Sequence, residues 1–130
     1  MVKRKWKDMK SYTDIEQSKK LAEILPIESA DMYYHNRVDI PDNYPLPIEW
    51  KRGLSLLAQE IPCWTLSPLL DILPEINGAN LKFERVKAED GYNGYYYHIE
   101  YEDKILIPYC KNPIDACVEM ILKLNEEKLL

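Results

Sequence analysis

Two histidines and three cysteines are the residues best suited to acid–base or nucleophilic work in this 130-residue chain. His98 lies within Tyr95–Tyr101, on the same side as Tyr96 and Glu100 if that stretch is a strand. An imidazole beside a carboxylate can move a proton near neutral pH, but same-side neighbours on a strand also arise without any function. His35 adjoins Tyr33 and Tyr34 at the start of a long loop, where binding residues often sit. Cys63 would need a base such as His35 beside it to act as a nucleophile. Its neighbours Pro62, Trp64 and Leu66 read instead as the surroundings of a small buried hydrophobe. Cys117 falls on an apolar helix face and reads as core, whereas Cys110 is expected at the surface. These two cysteines have no further ligand cluster around them, which argues against zinc. The acidic pairs Glu89-Asp90 and Glu102-Asp103 fit turn chemistry, and no spaced calcium-type set surrounds them. With no convergent titratable set, no catalytic residue, metal or cofactor is expected, and the chain reads as a non-enzyme.

Two other groups can support binding. Lys3, Arg4, Lys5, Lys7 and Lys10 surround Trp6, and with Asp8 they give the first ten residues a formal charge of +4. Such an arm can follow a phosphate backbone and stack on a base, with steep salt dependence. The rest of the chain carries −9, which disfavours a duplex-binding body and suits a basic partner. Ten tyrosines stand against one phenylalanine. Tyrosine joins a large apolar body to a polar tip, so it serves half-wet sheet faces and contact surfaces. Tyr33, Tyr34 and Tyr44 near the loop, with Tyr92, Tyr96 and His98 on the sheet, form the expected protein-contact patch. A helix on both sides of the sheet would hide Tyr96 and His98.

The elements that must position these groups follow from periodicity and punctuation. Thr13 with Glu16 forms an expected capping box for a helix over 14–25, closed by Pro26. Ala30–His35 reads as an edge strand. Pro41, Pro45 and Pro47 predict an extended loop at about 36–58, with a helical turn over Leu54–Gln59. Thr65 is an expected cap for a second helix with Pro68 in its first turn and Leu66, Leu69, Leu70 and Leu73 on one face, ended by Pro74. Leu81–Ala88 reads as a strand. Glu89–Gly94 and Glu102–Lys104 read as turns on either side of Tyr95–Tyr101, whose alternation puts Tyr95, Tyr97, Ile99 and Tyr101 on one face. Ile105–Tyr109 returns with Ile105 and Ile107 inward and Pro108 marking an edge. Asn112 caps a last helix with Pro113 at its first position and Ile114, Cys117, Val118, Ile121 and Leu124 buried.

The expected class is α+β: an antiparallel sheet of three to four strands packed with about three helices, in the order α-β-α-β-β-β-α, as a two-layer or α/β/α sandwich. Residues 1–12 form an expected flexible arm and 13–130 a single domain. The odd cysteine count points to a reducing, cytoplasmic setting. No apolar run approaches the length of a membrane span.

The phrases Thr13-Asp14-Ile15-Glu16-Gln17-Ser18-Lys19-Lys20-Leu21, Pro62-Cys63-Trp64-Thr65-Leu66-Ser67-Pro68-Leu69-Leu70 and Asn112-Pro113-Ile114-Asp115-Ala116-Cys117 together resemble a group of small proteins encoded in prophages and mobile elements of gut anaerobes. The resemblance covers most of the chain apart from the Pro-rich segment. It implies a cytoplasmic accessory protein and carries over no catalytic residue. The expected partner is a protein or a second copy of the chain, with nucleic acid at the arm as the alternative.

Overall fold

A computed structural model describes residues 10–35, 44–48, 56, 60–75, 81–87 and 95–130. The fold is α+β, with three helices and two antiparallel three-stranded sheets among these residues. In chain order the elements are α1 (Ile15–Ala22), β1 (Met32–Tyr34), β2 (Leu46–Pro47), β3 (Ile61–Cys63), α2 (Leu66–Glu75), β4 (Leu81–Lys87), β5 (Tyr95–Tyr101), β6 (Ile105–Cys110) and α3 (Pro113–Glu126). The expected single sheet is therefore two. The first has the order β2-β1-β3 and the second β4-β5-β6.

The first sheet is built from strands of two or three residues, too short to print an alternation in the sequence. Segment 30–35 is not an edge strand, because β1 is hydrogen-bonded on both sides. Part of the expected Pro-rich loop is the strand β2, with Leu46 opposite Tyr33. Most of the expected helical turn at 54–59 lies outside the described residues, as does the turn at 89–94.

The first helix is capped by Asp14 rather than Thr13. The Asp14 carboxylate accepts from Gln17 N–H at 2.8 Å, and the Gln17 side chain returns the bond to Asp14 N–H at 3.1 Å. Thr13 is committed elsewhere. It is fully buried, its hydroxyl accepts from Trp64 N–H at 3.1 Å, and that oxygen lies 2.7 Å from the Ser18 hydroxyl. Its carbonyl accepts from Tyr34 OH at 2.7 Å. A buried hydroxyl satisfied in this way is costly to redirect into a cap.

The last helix follows its sequence signals closely. Asn112 caps it by accepting from Asp115 N–H at 2.8 Å, and Pro113 opens it. All five expected core residues are buried, and so are Ala116 and Met120. The wider stripe arises because α3 packs against β5 and β6 on one side and against α2 and α1 on another. One apolar cluster runs through α3, Leu69, Leu73, Trp64, Leu21, Ile99 and Ile107, so both halves of the chain share a core.

Candidate interaction face

In the second sheet β4 and β5 pair in regular register, with Glu84 opposite His98, Val86 opposite Tyr96 and Lys82 opposite Glu100. The strand alternation then sends Ile99 and Tyr101 into the core and leaves Tyr96, His98 and Glu100 on the outer face. On the next strand, Tyr97 pairs with Cys110 and Ile99 with Ile107. One residue of β5, His98, thus faces two of β6, Pro108 and Tyr109. This is a β-bulge, and proline in a sheet is found at such places because it has no N–H to give to the ladder.

The bulge inverts the parity of everything after it. Simple alternation from Ile107 would turn Tyr109 inward and Cys110 outward. In the structure Tyr109 is 72 % exposed and Cys110 is buried, which corrects the expectation of a surface thiol at Cys110. Burial, with Glu119 nearby, pushes the Cys110 thiol up to about 12. Cys63 and Cys117 are also free and buried, and burial raises both thiols. Thiols kept protonated in this way are poor nucleophiles.

The Tyr109 ring comes to rest against Tyr96, with centroids 4.9 Å apart and planes inclined by 51°. With Leu106, 56 % exposed, and Pro108 they form an apolar strip along the outer face. A groove of about 430 Å³ runs beside it, lined also by Lys82, Glu84, His98 and Glu100. His98 Nε2 lies 3.0 Å from Glu84 Oε2, and the Lys82 ammonium is 2.9 Å from the other oxygen of that carboxylate. The Lys82 bond holds Glu84 below the usual carboxylate range. This face can bind, through rings, carboxylates and one imidazole. Among the described residues no helix is seen to pack on it, whereas α3 packs against β5 and β6, whose Ile99, Tyr101 and Ile107 are buried.

The expected contact patch is divided by the fold. Tyr96 and His98 share the groove. Tyr33 and Tyr34 lie apart from it, buried in β1 of the first sheet, where the Tyr34 hydroxyl donates to the Thr13 carbonyl. Burial also raises the Tyr34 hydroxyl. Tyr44 is exposed but precedes β2 of the first sheet and does not line the groove. Tyr92 lies outside the described residues. Leu106 and Tyr109 were absent from the expected patch, and the signal that could have found them is Pro108 inside a strand.

Of the basic arm, Lys3, Arg4, Lys5, Trp6 and Lys7 lie outside the described residues. Lys10 is held in place rather than offered to a phosphate. Its ammonium meets Asp14 at 3.2 Å, Gln17 Oε1 at 2.7 Å and Asp115 at 2.8 Å. Tyr12 bridges to Thr65, so the last residues of the expected arm are part of the fold. A separate cleft of about 540 Å³ beside Tyr12, Ile15 and Tyr34 has Lys10 and Asp14 on its rim, already paired with each other. Among the described residues no three His, Cys, Asp or Glu side chains converge to hold a metal ion, and no helix is long and apolar enough to cross a membrane.

No family model matches the chain, and no curated protein or solved structure is significantly similar to it.

Proposed function

We propose that this chain is a small non-catalytic accessory protein that works by holding another protein on the outer face of the β4–β5–β6 sheet. The observation that carries this reading is the apolar strip of Tyr96, Tyr109, Leu106 and Pro108, set on a sheet face that no described helix covers. Contiguous exposed apolar surface rimmed by charges is the ordinary mark of a contact site, and tyrosine is enriched where such contacts carry energy. Three buried free thiols support a cytoplasmic setting. The resemblance of the α1, α2 and α3 phrases to prophage and mobile-element proteins supports an accessory role in that context.

The test is site-specific photocrosslinking in cells. A benzoylphenylalanine placed at Tyr109 is expected to give one discrete, nuclease-resistant protein adduct, and the same probe at the exposed Glu127 none. Adding Tyr96→Ala should remove the adduct. A diffuse smear equal at both positions would overturn the reading. An adduct lost on nuclease treatment would transfer it to the nucleic-acid alternative, carried by the charge separation between residues 1–10 and the body.

A further inference from the structure

Resting on the protein-holding reading above, we propose that the segment this face receives is an extended, proline-bearing peptide with a basic residue about four positions from the proline. The aromatic end of the face sets the first requirement. Tyr96 and Tyr109 meet at 51°, with Pro108 beside them, and so present a wedge of ring faces. A pyrrolidine ring is compact, apolar and already ordered, and aromatic-lined grooves take proline-rich segments for that reason. Such segments have no internal hydrogen bonds, so their carbonyls remain available to tyrosine hydroxyls.

The other end of the groove sets the second. Glu100 lies four residues from Tyr96 on β5, about 13 Å along a strand. Glu84 stands one strand away, and the turn after β5 adds Glu102 and Asp103, against, among the described residues, Lys82 bridged to Glu84 and Lys104 bridged to Glu102. Acidic charge therefore exceeds basic charge at this end. A polyproline-type peptide rises about 3.1 Å per residue, so about four residues carry a cation from the ring wedge to the carboxylates. Charge also decides between occupants. The chain beyond residue 10 carries −9, so a second copy meets like charge while a basic segment is drawn in.

The experiment uses a short fluorescein-labelled peptide with two prolines and an arginine four residues beyond the second. It is read by fluorescence anisotropy against the full chain, with 15N chemical shifts to locate it. Saturable binding is expected, with shifts on β5 and β6, and a loss of about tenfold or more in affinity for Tyr109→Ala and for Glu100→Lys. Replacing the peptide's arginine by glutamate should abolish binding, and added salt should weaken it. Tyr109 and Glu100 are not core residues, and circular dichroism of each variant checks that the fold is kept. Equal binding of the glutamate peptide, shifts away from this face, or self-association that covers the face would overturn the proposal. If the peptide fails while the Tyr109 photo-adduct persists, the peptide class is wrong and the protein-holding reading stands. If both fail, both fall.

Discussion

At the scale of single residues, Asp115 does more than its place in the first turn of α3 suggests. It accepts from Lys10 and Gln17 at 2.8 Å and from Asn112 Nδ2 at 2.9 Å, so it ties the N-terminal segment, α1 and α3 together. Burial alone would raise its carboxyl, but the Lys10, Gln17 and Asn112 bonds prevail and hold it below its ordinary value of 3.8. A depressed folded value means the carboxylate's stabilisation is complete above that ordinary value and is lost as pH falls below it. Asp115→Ala should cost about 1–3 kcal/mol at neutral pH, and its stability should fall less steeply than the wild type's below about pH 4. Urea titrations at several acidic pH values check this, and parallel curves for the two proteins would refute it. In the sequence Asp115 is only an acidic residue in the first turn after the Asn112 cap. Its partners Lys10 and Gln17 are about a hundred residues away in the chain, and no local pattern announces them.

At the scale of elements, what could be read in the sequence was what local chemistry decides alone. The Asn112–Pro113 start of α3 and the alternation of β5 needed no partner to be legible, and the first stands as read, as does the second over Tyr96–Tyr101. The cap of α1 slipped by one residue because Thr13 with Glu16 and Asp14 with Gln17 both have capping-box spacing, and only the buried Trp64 and Tyr34 contacts commit Thr13 elsewhere. Of the first sheet only the strand within Ala30–His35 was legible, because β2 and β3 are held by pairing and burial rather than by pattern. The bulge was missed for a related reason: two-against-one opposition belongs to a pair of strands, not to either sequence. The most demanding element is α3, buried on two sides. Ile121→Ala should lower unfolding free energy by about 2–5 kcal/mol, a large share of a small domain's total. Lys123→Ala, on the exposed side, should change it by less than about 0.5 kcal/mol. Denaturant midpoints at equal slope decide the matter, and a tolerant Ile121 would displace α3 from the centre of the core.

At the scale of the whole molecule, charge and edge together govern association. The chain has a formal charge of −5, which discourages contact between copies. The strand β6 lies at the edge of its sheet and carries exposed Leu106 and Tyr109. A strand of that kind invites a second chain unless something interrupts it, and proline and bulges are the usual interruptions. Pro108→Val is therefore expected to raise the weight-average mass with concentration in sedimentation equilibrium, while the parent stays monomeric. Equal masses for both would show that the edge is protected otherwise. The two-for-one opposition at Pro108 and Tyr109 has a wider consequence. Because Tyr109 reaches solvent through an added residue, drift at that position is released from the constraint that packing places on Ile107 and Cys110. Substitutions at Tyr109 can therefore remodel the outer face of the sheet while the interior is inherited unchanged.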